Sequence, residues 1–294
     1  MKALIIALLA VCCFAEEFAV SQEYTDYLKK HVTWQVADYE ENVFRGWTVD
    51  EVKAILNQQT DIEIPEKQIE IAAGQQFPER LDWSELNANC LHEIRNQGNC
   101  GSCWAFSATG VVSDRCCMHD ADHGWLAPQE LVSCNTRNSG CNGGLEYNAL
   151  DWVAQNGLVP ESCFPYKATN LPCPNKCADG KDWKASHVCK CKARVNCQGK
   201  DAMKACIQTG PVTAGMWVKK DFMSYKSGVY HWDKSSPQLG GHAIRCYGYD
   251  TTPEPHWKCA NSWGTGWGEQ GFFRIGVGEV GIDTRNPSYC DPVA

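Results

Sequence analysis

The sequence predicts an α+β protein, helical in its first half and sheet-rich in its second, with a site where the halves meet. Three observations carry that expectation. Apolar residues recur at helical spacing in stretches up to Gly157. Past Gly210-Pro211 the chain breaks into short aromatic and β-branched runs bounded by Gly, Pro and Asp. Cysteines are absent from Glu16 to Gln75 and frequent from Cys90 onward.

In chain order, Met1-Lys2 precedes ALIIALLAVCCFA, 13 apolar residues ending at Ala15. The run is too short to cross a bilayer of about 30 Å as a helix. Its charged start, apolar middle and small-residue end read as a secretory signal peptide over residues 1–15. No other stretch is long and apolar enough to span a membrane, so no membrane partner is expected. Of 19 cysteines, 17 follow that signal. So many suit an oxidising compartment, and an odd number leaves at least one thiol unbridged within the chain. A formal net charge of −8 without a basic stripe argues against nucleic acid.

Residues 16–75 read as a small helical unit containing EYTDYLKKHVTWQV and WTVDEVKAILNQQ. In the second stretch Thr48 and Glu51 form a capping-box pattern ahead of Val52, Ile55 and Leu56 on one face. A boundary is expected within AAGQQFPERLDW. Beyond it, Trp104, Ala108, Val111 and Val112 place Cys103 at a helix N-terminus with Ser102 as its cap. LEYNALDWVAQNG is a second helix stopped by Gly157. VTAGMWV, GVYHW, HAIRCYGYD, HWKCANSW and GFFRIGV read as strands of an antiparallel sheet or barrel.

The stretch QGNCGSCWAF, Gln97–Phe106, holds two cysteines in a Cys-x-x-Cys arrangement. A redox dithiol should follow a strand in a βαβ pattern, and the preceding NANCLHEIRNQGN is loop-like. Zinc would need a second pair, for which CPNKC and Cys189-Lys-Cys191 are candidates, but an oxidising compartment favours bridges over metal. The remaining reading gives the two thiols separate jobs, one bridged and one free. A free thiol at a helix N-terminus is pushed toward thiolate and, beside an imidazole, becomes a nucleophile. Gln97 could supply an oxyanion-hole amide.

Eight histidines compete for the base. His31 falls in the N-terminal unit, His92, His119, His123 and His187 in cysteine-rich or polar loops, and His231 and His256 near turns. His242 follows Gly240-Gly241 and opens a strand that would hold its ring rigidly. Asn261 follows in CANSWGTGWGEQGFF as an orienter, with Trp263 and Trp267 to exclude water.

QGNCGSCWAFS, SGCNGGL, GGHAI and NSWGTGWGEQGFF together resemble the papain-like cysteine peptidases, from about Phe77 to Asp283. SDRCCMH, GPVTAGMWVKKDFMSYKSGVYHW and VTWQV resemble the cathepsin B branch. The resemblance implies a two-subdomain fold: a helical half, a β-barrel-like half and a cleft between them. It implies a propeptide over 16–76, a peptidase domain over 77–294 and a secreted zymogen of a cysteine endopeptidase. A catalytically silent binding protein of the same family is the alternative.

By the same resemblance Cys103 is the nucleophile, His242 the base and Asn261 its orienter, and Gln97 with the Cys103 backbone forms the oxyanion hole. Trp263 shields the His–Asn contact and Trp267 lines the leaving-group side. Gly143 and Gly144 pair with an extended substrate strand. Counting on through GIDTR, Arg285 forms the floor of the pocket for the second residue before the scissile bond, with Leu145 and Glu146 as a nearby wall. There cathepsin B has a carboxylate. Arg285 would pair with a substrate Glu or Asp; Glu146 neutralising Arg285 would leave an aliphatic preference instead. Arg285 turning to solvent or pairing with Asp283 is the competing reading. The implied disulfides are Cys90–Cys117, Cys100–Cys141, Cys134–Cys189, Cys163–Cys191 and Cys173–Cys177; Cys116, Cys197, Cys206, Cys246, Cys259 and Cys290 receive no partner. Cathepsin B also carries an inserted loop whose adjacent histidines hold a substrate's terminal carboxylate. GLVPESCFPYKATNLPCPNKC contains no histidine, so an occluding loop is not expected.

The implied partners are protein and peptide substrates, the chain's own propeptide and cystatin-type inhibitors, with a monomeric enzyme that needs neither metal nor cofactor. The implied location is the secretory pathway, ending in lysosome-like or endocytic vesicles or outside the cell. No permitted N-x-Ser/Thr sequon exists for glycan-dependent sorting.

Overall fold

The computed structural model describes residues 16–56, 68–119 and 122–293. The expected signal segment lies outside them. The N-terminal unit contains α1 (Gln22–His31), β1 (Gln35–Val36) and α2 (Val49–Leu56). The capping box forms as expected. The Thr48 N–H donates to Glu51 Oε2 at 2.8 Å and the Glu51 N–H to Thr48 Oγ1 at 3.2 Å, starting α2 with Val52, Ile55 and Leu56 buried.

After β2 (Leu81–Asp82) and the single turn α3 (Trp83–Leu86), the helical half is built on α4 (Cys103–His119), flanked by α5 (Pro128–Cys134) and α6 (Glu146–Asn156). Every residue of α4 from Cys103 to Cys116 is buried. It is the spine between the halves rather than an amphipathic surface helix. Gly157 at φ 78° ends α6 as expected. Ser102 departs from its expected role: its hydroxyl meets the Tyr166 hydroxyl at 2.6 Å instead of capping α4.

The second half contains β3 (Val195–Asn196), α7 (Lys200–Ile207), β4 (Val212–Lys219), β5 (Tyr225–Ser227), β6 (Val229–Tyr230), β7 (Gln238–Asp250), β8 (His256–Ala260), β9 (Phe272–Gly276) and β10 (Arg285–Tyr289). The main sheet runs β3-β10-β4-β7-β8-β9-β6, with β2 added to β7. It is antiparallel except between β6 and β9. The sheet does not close into a barrel: its end strands β3 and β6 do not pair with each other. β5 stands apart and pairs with β1 of the N-terminal unit.

Among the described residues eight disulfides form and Cys103 alone is free. Cys90–Cys117 and Cys100–Cys141 are as expected. Three expected pairs are corrected. Cys134 joins Cys173, because Gln129 Nε2 on α5 holds the Thr169 carbonyl at 2.9 Å and brings that loop to the end of α5. Cys163 joins Cys177, placed beside it by the Ala178 N–H on the Cys163 carbonyl at 2.8 Å. Cys189 and Cys191 run between α4 and the C-terminal strand, where Leu158 pairs with Val188 and Cys191 with Pro292. Cys189 therefore bridges to Cys116 and Cys191 to Cys290. The other two bridges are Cys197–Cys206 and Cys246–Cys259, the latter crossing β7 and β8.

Candidate active site

Cys103 opens α4, and His242 lies on β7 next to Ala243. Cys103 and Ala243 share one buried cluster, and the Ala243 backbone N–H faces the thiol closely enough to favour its charged form. That contact sets Cys103 against the strand carrying His242.

His242 Nε2 lies 2.7 Å from Asn261 Oδ1, just beyond β8. The same oxygen accepts from the Ser262 backbone N–H at 2.8 Å. A backbone N–H only donates, so that amide atom is oxygen, and Nε2 must be the ring's donor. The proton sits on Nε2, and Nδ1 is left as the ring's free acceptor nitrogen. Trp263 stacks on the imidazole with ring centroids 4.7 Å apart and an interplanar angle of 27°, shielding the His–Asn bond. Trp267 packs edge-on against Trp263 at 5.1 Å.

Gln97 is fixed by the same logic. Its Nε2 donates to the carbonyls of Ile55 and Cys100, both at 2.9 Å, while its Oε1 accepts from the Ser262 hydroxyl at 2.7 Å. Ser262 thus orients the two side-chain amides at once. Nothing in the sequence singles it out, because half of its role depends on Gln97, 165 positions away.

The N-terminal unit covers this constellation. Trp34 packs between Tyr225 and Tyr230 and donates to the His231 carbonyl at 2.9 Å. Phe44 meets Trp263 edge-on at 5.2 Å. α2 then lays Leu56 over Gly240, where an added Cβ would come within 3.1 Å of the Leu56 Cβ. The Leu56 carbonyl is 3.9 Å from the Cys103 sulfur. Cys103 and His242 are wholly buried. Burial pushes the thiol up to about 12, against the Ala243 N–H, and the imidazole down to about 4, against its bond to Asn261. In this covered form the pair is neutral.

The expected binding residues fall around α6. The Gly143 carbonyl is turned into its own loop, accepting from the Ser139 N–H at 2.9 Å. Gly144 must be glycine, since a Cβ there would lie 2.7 Å from Asn138 Cγ and 2.8 Å from Trp104 Cδ2. Leu145 is buried, and Glu146 beside it is almost wholly so. Arg285 is buried on β10 rather than turned to solvent. Burial lowers its pKa, and attraction to Glu146 opposes that shift.

Comparison with known proteins agrees with this geometry. The model of the papain family cysteine proteases matches residues 77–289. The chain belongs to that family. Among papain-family relatives, it is 35% identical over 257 residues to a cathepsin B-like CP3 of Giardia intestinalis, covering 82% of this chain and 85% of the relative. It is 37% identical over 237 residues to a gut-specific cysteine proteinase of Caenorhabditis elegans, covering 71% and 70%. Among solved structures, proCathepsin B S9 from Trypanosoma congolense superposes with a TM-score of 0.82 at 25% identity, covering 94% of this chain and 99% of that one. The chain is a cysteine peptidase of cathepsin B-like descent.

Proposed function

We propose that this protein is the zymogen of a secreted cysteine endopeptidase that hydrolyses peptide bonds through Cys103 and His242. One observation carries the reading. The Ile55 carbonyl oxygen sits 2.9 Å from Gln97 Nε2 while the Leu56 carbonyl lies over the Cys103 sulfur. A peptide carbonyl already occupies the donor that an oxyanion would use.

With residues 16–76 removed, water re-enters and the penalty on charge falls. The α4 N-terminus and the imidazole then favour a thiolate–imidazolium pair. The thiolate adds to the scissile carbonyl carbon, and Gln97 Nε2 with the Cys103 N–H stabilises the oxyanion. The His242 imidazolium gives its Nδ1 proton to the leaving amine as the C–N bond breaks, leaving a thioester. His242 then takes a proton from water, whose oxygen displaces the sulfur and releases the acid. Asn261 holds the ring throughout, Gly144 offers its backbone to the substrate strand, and Trp267 flanks the leaving group.

Endopeptidase action is favoured by the 157–190 segment. Its one histidine, His187, is engaged with Glu130 of α5 at 2.8 Å, away from any role in holding a substrate carboxylate. Processing near Gln75–Phe77 in an acidic, oxidising compartment fits the disulfide content and the covered site. Protein and peptide substrates follow, and cystatin-type inhibitors would compete for the same cleft. The test is Cys103→Ala in the processed protein. Turnover of a fluorogenic peptide should vanish with the fold intact, and retained activity would overturn the assignment.

A further inference from the structure

The residues behind the oxyanion donor form a strap across the Gln97–Ser102 loop. The Tyr166 hydroxyl donates to the backbone carbonyl of Gln97 at 2.8 Å and meets the Ser102 hydroxyl at 2.6 Å. One phenol oxygen thus ties together the two ends of the loop from the oxyanion donor to the residue before the nucleophile.

The phenol is itself held from two sides. Its ring packs edge-on against Phe106 of α4, centroids 4.7 Å apart. Its backbone N–H donates to Glu161 Oε1 at 2.9 Å, and the same oxygen accepts from Arg95 at 2.5 Å. Arg95 lies two residues before Gln97 and stacks over the rings of Phe106 and Trp125. The Glu161 carboxylate therefore clamps the chain on both sides, and Tyr166 transmits the position to Gln97. Burial pushes the Tyr166 hydroxyl up to about 12, against its bond to Ser102, so it keeps its proton and remains a donor across the working pH range.

We propose that Tyr166 is a positioning residue for the oxyanion hole: its hydroxyl fixes the pitch of the Gln97–Ser102 loop so that Gln97 Nε2 points at the developing oxyanion. A hydrogen bond to a carbonyl worth little in overall stability can matter here, because oxyanion stabilisation depends on donor distance to a few tenths of an ångström. The inference rests on the reading of Gln97 as the oxyanion donor.

The experiment compares processed wild type, Tyr166→Phe, Gln97→Ala and the double variant. Tyr166→Phe keeps the ring packing and removes only the hydroxyl. We expect kcat to fall roughly tenfold with KM unchanged, less than the 10²–10³ typical of deleting a donor outright. Inhibition by a peptide aldehyde, which forms an oxyanion-bearing adduct, should weaken in parallel. Alkylation of Cys103 by iodoacetamide forms no oxyanion and should proceed at the wild-type rate. In the Gln97→Ala background the second substitution should cost nothing further. The proposal is overturned if Tyr166→Phe turns over peptides like wild type, if alkylation slows as much as turnover, or if the two losses add. Gln97→Ala with full activity would remove the oxyanion reading itself, and the proposal with it. A fall in Gln97→Ala alone would leave that reading standing and sink only the role of Tyr166.

Discussion

The Arg285 guanidinium lies 3.8 Å over the Trp217 ring, while the Asp283 carboxylate accepts from the Gly278 N–H at 3.1 Å. The arginine of β10 is therefore held by an aromatic face on β4 and not by the acid two positions before it. If Arg285 floors the pocket, its charge favours an acidic substrate side chain, and Glu146, which attracts the same guanidinium, works against that preference. In a peptide library varied at the second residue before the cut, Glu should exceed Arg by about tenfold or more. Arg285→Ala should erase the difference. Equal cleavage of Arg and Glu by the wild type would refute the electrostatic pocket.

Latency has a chemical signature. In the covered form the thiol is shielded and protonated. Iodoacetamide should modify Cys103 at neutral pH at least about a hundredfold more slowly in the full chain than in the processed enzyme. Mass spectrometry of the Cys103 peptide over time reads this directly, and equal rates would contradict the buried, neutral pair.

Exopeptidase action is testable on one substrate in two forms. Removing a free C-terminal carboxylate by amidation should leave cleavage within about twofold, since no charged group is assigned to hold it. Dipeptide release that collapses on amidation would show a carboxylate-binding loop after all.

A buried charge cluster joins the halves behind the site. Asp114 of α4 accepts two bonds from Arg245 of β7, at 2.8 and 2.9 Å, and Arg245 also holds the His92 carbonyl at 2.7 Å. Arg245→Met takes two bonds and the arginine charge from the buried Asp114 carboxylate, leaving it to His92, and should cost about 3–5 kcal/mol, read from the urea midpoint. A loss under about 1 kcal/mol would show the pair to be solvated.

His92 gives that cluster a pH dependence. Burial alone would lower its pKa, but its 2.9 Å bond and attraction to Asp114 raise it overall, aided by Asp122 and opposed by Arg245. A raised folded value stabilises the protein below the unfolded pKa, and that gain fades as pH climbs through the folded one. Wild type should therefore exceed His92→Gln in stability most at about pH 5, with the gap closing above about pH 7. A gap that widened toward alkaline pH would contradict the sign.

Much of this molecule can be read from residue order because its site motifs are local. Cys103 at the start of a helix, His242 in a strand after two glycines and Asn261 before two tryptophans each carry a short-range signal. The capping box and the long strand β7 are equally plain. What escapes is what depends on tertiary neighbours. β10 escapes because it is only five residues long with Pro287 in its middle, yet it pairs with β4 across a register shift there. α5 and α7 span seven and eight residues and, unlike α2, have no capping box to mark their starts. Disulfide partners fail for the same reason: Cys189 and Cys191 are two positions apart but face α4 and the C-terminal strand.

The cross-links around the 157–190 segment also decide how the molecule withstands its own kind of chemistry. Phe164 to Pro172 is a stretch without regular secondary structure, enclosed by Cys163–Cys177, Cys134–Cys173 and Cys116–Cys189. A backbone cut anywhere in it leaves three covalent tethers spanning the break. A nicked molecule would keep its shape and its catalytic cleft, migrate as one species without reductant, and separate into two fragments only once its sulfurs are reduced.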